Sequence, residues 1–200
     1  FANKKTVQKI IKEKKLKFNQ IINPKNFENF IKKLVGNKFA IDPLTCSIFN
    51  ENIIKSNFKI TKMEDPCYML KSIKNKTEIN HTINAHIEDG LALTKFIYWI
   101  KKVNKKQITE IQAKNKLEKF RKLNKNYLFP SFDTIAGTGS NGAIVHYKVS
   151  KESNKIIKNN DLFLCDSGGQ YKFGTTDVTR TLCFSKQKKE IKDVFTKVLK

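Results

Sequence analysis

Arginine is scarce in this 200-residue chain, although the chain is strongly basic. Forty Lys and Arg residues stand against 18 acidic ones, for a formal charge of +22, yet only Arg121 and Arg180 are arginines. Recognition of phosphates and guanine bases favours the bidentate guanidinium of arginine. Lys, Asn and Ile together supply 81 of the 200 residues, as an AT-rich coding sequence would produce. We attribute the charge to this bias and expect no nucleic-acid partner.

Long apolar runs and closely spaced cysteines are also missing. The longest candidate for a membrane segment, Phe96–Ile100, falls far short of the roughly 20 residues that a spanning helix needs. The four cysteines form no C-x-x-C pair, so neither a zinc knuckle nor a disulfide framework is indicated. We expect a cytoplasmic protein with reduced, mostly buried thiols and no membrane partner. The length allows one domain, or one and part of a second.

Residues 1–64 carry the pattern of a small α/β unit. Asn23-Pro24 provides a helix N-cap followed by proline at the first helical position. The elements predicted in this unit are helices at 6–16, 24–36 and 47–54 and strands at 38–41 and 57–61. The unit ends near Asp65-Pro66, where we place a domain boundary.

Two helices are predicted after this boundary. The first runs from Lys71 to about Val103, with Gly90 as a candidate kink. Its predicted core-facing stripe is apolar apart from one histidine and consists of Ile73, Ile79, Ile83, His86, Ile87, Leu91 and Phe96. The second begins at Thr109, where the sequence matches a capping box, and ends near Leu123.

The chain then changes character, because residues 131–147 contain three glycines and neither Lys nor Arg. Strands are predicted at 132–136 and 143–147, around a glycine-rich turn. Two further strands, at 161–165 and 177–184, are predicted to pair as a hairpin with a wide turn. Helices followed by antiparallel strands indicate an α+β fold for residues 65–200.

Asp166 and Asp177 are the candidate metal ligands. Asp166 directly follows an apolar strand, where a carboxylate is costly unless it is hydrogen-bonded, paired or bound to a metal. The hairpin brings Asp177 to the same end of the sheet, and two close carboxylates favour a hard divalent cation between them. The spacing alone leaves a second interpretation open, in which both are ordinary turn carboxylates.

Three longer strings resemble a known family. They are Phe132-Asp-Thr-Ile-Ala-Gly-Thr-Gly-Ser-Asn-Gly-Ala-Ile-Val-His-Tyr147, Asp161-Leu-Phe-Leu-Cys-Asp-Ser-Gly-Gly-Gln-Tyr171 and Gly174-Thr-Thr-Asp-Val-Thr-Arg-Thr181. In this order they resemble the catalytic domain of the Xaa-Pro aminopeptidases (aminopeptidase P). The resemblance implies the start of a pita-bread, creatinase/aminopeptidase-like domain over residues 65–200. It also implies, more weakly, that residues 1–64 end a creatinase-type N-terminal domain.

The resemblance assigns roles to three residues. Asp166 and Asp177 match the first two metal ligands of the family, Asp177 being the one expected to bridge two divalent ions, commonly Mn²⁺, with Zn²⁺ or Co²⁺ as alternatives. His146 matches a histidine that lines the substrate site and serves as a catalytic residue. The implied reaction is hydrolysis of the bond between an N-terminal residue and a following proline, by a hydroxide activated on the two metal ions.

The family's remaining ligands, one His and two Glu, do not occur in matching positions before Lys200. We therefore expect the chain to be a fragment of a longer product, inactive by itself. The resemblance also implies a possible homodimer. Three alternatives stay open: a prolidase that acts on Xaa-Pro dipeptides, a non-catalytic binding module that keeps the pita-bread fold, and a nucleic-acid binder, which would show salt-sensitive binding.

Overall fold

The computed structural model describes residues 1–2, 5, 7–13, 16–103 and 108–200. The chain divides into two compact units, residues 1–73 and 74–200. Asp65-Pro66 therefore lies inside the first unit, where the side chain of Asp65 accepts a hydrogen bond from the amide of Cys67 and caps a short helix. The assignment of residues 1–64 to a creatinase-type domain stays a prediction.

The first unit is a small α/β arrangement. It contains helices α1 Gln8–Lys12, α2 Phe27–Ile31, α3 Ile48–Lys55 and α4 Pro66–Ser72 and strands β1 Lys38–Ile41 and β2 Lys59–Lys62. The two strands pair in parallel, and α2 and α3 pack their apolar faces into one core. The buried members of this core are Ile31, Ile41, Ile54 and Phe58.

Most predicted elements of the first unit are confirmed, with different ends. Asn23 and Ser47 act as N-caps, each accepting a backbone hydrogen bond. The helix predicted to reach residue 36 ends instead at Ile31, because the amides of Lys33 and Leu34 donate to carbonyls three residues back and tighten the chain into turns. Residues 6, 14 and 15 of the predicted 6–16 helix lie outside the described residues.

The second unit carries both antiparallel sheets. Its elements are helices α5 Lys76–Lys102, α6 Glu110–Lys122 and α7 Lys189–Leu199 and strands β3 Tyr127–Pro130, β4 Ile135–Thr138, β5 Leu162–Ser167, β6 Gly169–Tyr171, β7 Gly174–Thr175 and β8 Val178–Cys183. One sheet has the order β4-β5-β8 and the other β3-β6-β7. The predicted pairing of β5 with β8 is confirmed, as is the capping box at Thr109.

The core of the second unit lies between the two long helices and one face of sheet β4-β5-β8. Phe96 and Ile100 of α5 and Leu117 of α6 pack there against Phe163 of β5, and all four are at most 1% exposed. The opposite face of this sheet carries Leu164 and Asp166, and a short 3-10 helix, Gly139–Ala143, approaches it at Leu164.

The single helix predicted from Lys71 to Val103 is wrong at its N-terminal end. Ile73 has extended backbone angles, and the chain starts a new helix after Asn75. Asn75 and Glu78 form a reciprocal capping box, with both hydrogen bonds at 2.9 Å. Helix α5 then runs without a break through Gly90.

The predicted apolar stripe of this helix is wrong for its isoleucines. Ile79, Ile83, Ile87 and Leu91 are 48–65% exposed. The residues of α5 that are buried are Ala85, Asp89, Ala92, Leu93, Phe96 and Ile100. Close backbone packing selects this face: a Cβ added to Gly174 of β7 would lie 2.8 Å from the Cβ of Ala85. A small residue therefore lies where α5 approaches β7, and the isoleucines of the predicted stripe, Ile79, Ile83 and Ile87, are exposed.

The strand predicted at 143–147 is also wrong. A 3-10 helix occupies Gly139–Ala143, and the chain continues to Tyr147 without strand pairing. His146 has a φ of +54°, in the left-handed region, which a β-strand cannot accommodate. The side chain of Tyr147 is instead drawn into a buried polar cluster, described below.

The thiols are less buried than the sequence predicts. All four cysteines are unpaired, but Cys165 alone is buried, Cys46 is half-buried, and Cys67 and Cys183 are exposed. Burial is the main reason that the pKa of Cys165 rises to about 11. Cys183 lies on an edge strand, with its side chain on the face opposite that of the buried Leu182. The apolar residues around Cys183 therefore wrongly predict that its thiol is buried.

Two glycines of the second unit should respond oppositely to alanine. A Cβ at Gly168 would overlap the carbonyl oxygen of Thr176 and the hydroxyl of Ser131, whereas a Cβ at Gly90 meets no atom within 4 Å. We expect Gly168→Ala to cost about 1–3 kcal/mol of unfolding free energy by overpacking. Gly90→Ala should add about 1 kcal/mol through helix propensity. Urea denaturation of both variants measures these changes, and equal midpoints would contradict the expectation.

Candidate metal centre

Asp166 lies within strand β5 and not in a turn. It is paired with Ile135 of β4 on one side and Thr179 of β8 on the other, and it is half-buried. The hydroxyl of Thr179 donates to its Oδ1 at 2.8 Å. This cross-strand hydrogen bond orients one carboxylate oxygen, and it argues against the turn interpretation for Asp166.

Asp177 precedes β8 by one residue and is exposed. Because side chains alternate along a strand, Asp177 continues the face of β8 that carries Thr179, and Thr179 lies opposite Asp166. The two carboxylates therefore project from the same face, at the end of β5 and the start of β8, as diagonal neighbours. The strand register thus places the two predicted ligands near each other at one end of the sheet, and their role as metal ligands stays a prediction.

The charge on this pair is not compensated by lysine or arginine. In the part of the chain that the structure describes, neither Asp166 nor Asp177 takes part in an ion pair. The same residues contain no group of three or more His, Cys, Asp or Glu that could hold a metal ion. Two carboxylates with free oxygens fit a hard divalent cation as part of its ligand set, and the described residues do not complete that set.

His146 lies on a loop that reaches the same face of the sheet. This loop follows β4 and folds back, so that a Cβ on Gly142 would lie 3.5 Å from the Cβ of Leu164. Leu164 and Asp166 are two residues apart in β5 and share a face. The imidazole of His146 is exposed, and its backbone is left-handed.

Sequence reasoning missed two buried groups that support these elements. Arg121 of α6 is fully buried and pairs with Asp89 of α5 while also donating to Ser167, the neighbour of Asp166. Glu110, the first residue of α6, is fully buried beneath the loop of His146. The scarcity of arginine was a signal for the first, since one of only two arginines in a lysine-rich chain has a guanidinium-specific contact.

Other predicted features have ordinary surroundings. The imidazole of His86 is hydrogen-bonded to the carbonyl of Thr82 on its own helix, and His81 packs against the ring of Phe173. Trp99 packs against Phe96 at the edge of the core. Among the described residues, no helix is long and apolar enough to cross a membrane.

Comparison with known proteins places these elements in a family. The model of metallopeptidase family M24 matches residues 81–200. Among curated proteins, the Drosophila melanogaster Xaa-Pro aminopeptidase ApepP is 41% identical over 175 residues, which are 85% of this chain and 28% of that protein. The chain spans about a quarter of the length of the curated relatives that it matches first.

Solved structures give the same answer for the fold. X-prolyl aminopeptidase from Caenorhabditis elegans, described as a cytosolic enzyme with a di-nuclear active site, is 33% identical with a TM-score of 0.68, over 76% of this chain and 25% of that one. The prolidase from Thermococcus sibiricus is 25% identical with a TM-score of 0.69, over 88% and 47%.

These matches confirm the resemblance to Xaa-Pro aminopeptidases and the pita-bread architecture that the sequence predicts. The family match covers most of α5, all of α6 and both sheets, including all three predicted site residues. The chain therefore belongs to metallopeptidase family M24.

Proposed function

We propose that this protein is a metal-dependent aminopeptidase that removes the N-terminal residue of peptides whose second residue is proline. The observation that carries the proposal is the register of β5 and β8, which pairs Asp166 with Thr179 and leaves Asp177 two residues before Thr179, within the residues that the M24 model matches. The curated relatives matched at 41–46% identity are named as Xaa-Pro aminopeptidases.

The carboxylates of Asp166 and Asp177 would hold two divalent ions, with Mn²⁺ as the proposed metal. When bound, such ions lower the pKa of a water molecule and polarise a carbonyl. Thr179 donates a hydrogen bond to one oxygen of Asp166, which leaves the other oxygen to bind a metal ion. A di-nuclear site in the C. elegans structure supports the number of ions.

His146 is proposed to bind the substrate. Its exposed imidazole belongs to the loop in which Gly142 approaches Leu164 of β5, and it is not held by a salt bridge within the described part of the chain. A neutral imidazole both donates and accepts hydrogen bonds, so it can orient a peptide group or move a proton during cleavage.

A prolidase acting on dipeptides is the second candidate. The match to a prolidase structure at 25% identity supports it, because the two activities share this fold. The higher identity of the aminopeptidases favours the first candidate. A cytoplasmic location, supported by the cytosolic C. elegans enzyme, and a homodimer stay predictions.

The proposal is tested by assaying the full-length protein on an Xaa-Pro-Yaa tripeptide, the Xaa-Pro dipeptide and an Xaa-Ala-Yaa tripeptide. We expect cleavage of the Xaa-Pro-Yaa peptide alone, loss of cleavage on chelation, and recovery on adding Mn²⁺. Cleavage of the dipeptide in preference would establish the prolidase. Undiminished activity after exhaustive chelation would contradict the metal-dependent mechanism.

A further inference from the structure

Glu110 is a fully buried carboxylate without a cation partner among the described residues. Its charge is balanced by hydrogen-bond donors alone. The amide of Thr138 donates to Oε1 at 2.8 Å, the amide of Lys155 to Oε2 at 3.1 Å, and the side-chain amide of Asn141 reaches both oxygens at 3.1 Å. The hydroxyl of Tyr147 donates to Oε2 at 2.9 Å.

These donors come from both ends and the middle of one loop, residues 138–155. A buried carboxylate that accepts several hydrogen bonds fixes its donors, since leaving any of them unmet costs about 1–3 kcal/mol. Burial is the main reason that the pKa of Tyr147 is raised, so its phenol stays protonated and remains a donor to Glu110. Glu110 therefore joins the two ends and the middle of this loop through hydrogen bonds to its buried carboxylate.

His146 occupies the strained part of that loop. Its φ of +54° makes it the one non-glycine residue with a positive φ within the described ranges. The left-handed conformation costs a residue with a Cβ about 1–2 kcal/mol and persists when neighbours impose it. The next residue, Tyr147, is held firmly, because its ring is buried and its hydroxyl is hydrogen-bonded to Glu110, Asn141 and Ser153.

The imidazole of His146 is therefore exposed, whereas the side chain of the next residue, Tyr147, is buried. The loop also crosses the face of β5 that carries Asp166, as the approach of Gly142 to Leu164 shows. Glu110 thus connects helix α6 to the position of His146 without being exposed to the substrate itself.

We infer that Glu110 is a positioning residue, whose buried carboxylate holds His146 in the left-handed conformation that turns its imidazole outward from the loop. This inference rests on the proposed function. It assigns Glu110 no contact with substrate or metal and makes its contribution to catalysis pass through His146.

The test is a double-mutant cycle in the full-length protein with Glu110→Gln and His146→Ala. Glutamine keeps the shape but replaces one acceptor oxygen with a donor that faces other donors. We expect Glu110→Gln to lower kcat/KM for the Xaa-Pro-Yaa peptide about 10–100-fold, as loss of a supporting group does. In the His146→Ala background the same substitution should have little further effect, because both changes remove one function.

Two readouts separate positioning from general damage. Mn²⁺ affinity, measured by calorimetry, should be unchanged in Glu110→Gln. Glu118→Gln is the matched control, because Glu118 also lies on α6 and accepts a tyrosine hydroxyl, that of Tyr127 at 2.7 Å. Among the described residues its side chain forms no hydrogen bond or ion pair with residues 138–155. This control should keep the kcat/KM of the unmodified protein.

The outcomes are distinct. Inactivity of the unmodified protein towards every Xaa-Pro peptide would count against the proposed function and not against the cycle. If the unmodified protein is active and the fold-losses in kcat/KM of the two substitutions multiply in the double variant, the inference is overturned.

A second variant serves if Glu110→Gln fails to fold. Tyr147→Phe removes one hydroxyl from the same cluster and should lower kcat/KM as a single substitution, but should not lower it further in the His146→Ala background. Equal kcat/KM for Tyr147→Phe and the unmodified protein would then overturn the inference.

Discussion

Replacing Asp89 with alanine is expected to lower the free energy of unfolding by about 3–5 kcal/mol, because it leaves a buried arginine without its counter-charge. Asp89 and Arg121 are at most 1% exposed. Their two hydrogen bonds, Nε to Oδ1 at 2.7 Å and Nη2 to Oδ2 at 3.0 Å, form the bidentate arrangement. Burial opposes the charge on Arg121, but Asp89 outweighs that effect and raises the pKa of the guanidinium.

The pair is the centre of a larger cluster that joins four elements. Arg121 Nη2 also donates to the hydroxyl of Ser167 at 3.1 Å, and the hydroxyl of Tyr171 donates to Asp89 at 2.9 Å. Arg121 Nη1 is buried with no partner among the described residues, so the cluster already bears the cost of one unmet donor. Removing Asp89 would also leave Nε without its acceptor and would leave Nη2 with Ser167 alone.

Urea denaturation of the full-length protein measures the effect, with Lys148→Ala as the control. Lys148 also pairs with a carboxylate, Asp133 at 3.3 Å, but both side chains are more than 60% exposed, so its loss should cost no more than about 1 kcal/mol. The double variant Asp89→Leu/Arg121→Met should recover much of the loss, since apolar groups can replace a buried ion pair. Similar midpoints for Asp89→Ala and Lys148→Ala would contradict the assignment.

The sequence predicts the outline of the second unit because its signals are local. Thr109 starts a helix through its own capping box, and the apolar runs on either side of a glycine-rich turn predict that β5 pairs with β8. Asp166 and Asp177 are predicted as neighbours for the same reason, because strand pairing fixes which side chains share a face.

Long-range packing is where sequence reasoning fails. The exposed Ile79, Ile83 and Ile87 of α5 form as regular a pattern as its buried residues. The buried face includes Ala85, which is approached by Gly174, 89 positions away along the chain. The rarity of arginine singles out Arg121 without indicating its partner, and Glu110 looks like an ordinary member of a basic helix. Their partners Asp89 and Tyr147 lie 32 and 37 residues away, and periodicity carries no information on such contacts.

Asp166→Asn and Asp177→Asn are each expected to lower kcat/KM for Xaa-Pro-Yaa peptides by more than about 100-fold, since even supporting groups around a metal contribute 10–100-fold. Asparagine keeps the size of the side chain and removes the negative charge that a divalent cation requires. Calorimetric titration should show weaker Mn²⁺ binding in both variants. Normal Mn²⁺ binding and activity in either one would exclude that residue as a ligand.

A matched control and a graded variant make the result specific to this face of the sheet. Asp161→Asn changes a carboxylate that accepts a hydrogen bond from Thr138 at 3.2 Å; asparagine can still accept it, so activity should be retained. Thr179→Val removes the hydroxyl that orients Asp166 and should cost about 10–100-fold. Thr179 contacts one oxygen of Asp166 alone. A loss of kcat/KM between those of Asp161→Asn and Asp166→Asn would therefore support metal binding at the other oxygen of Asp166.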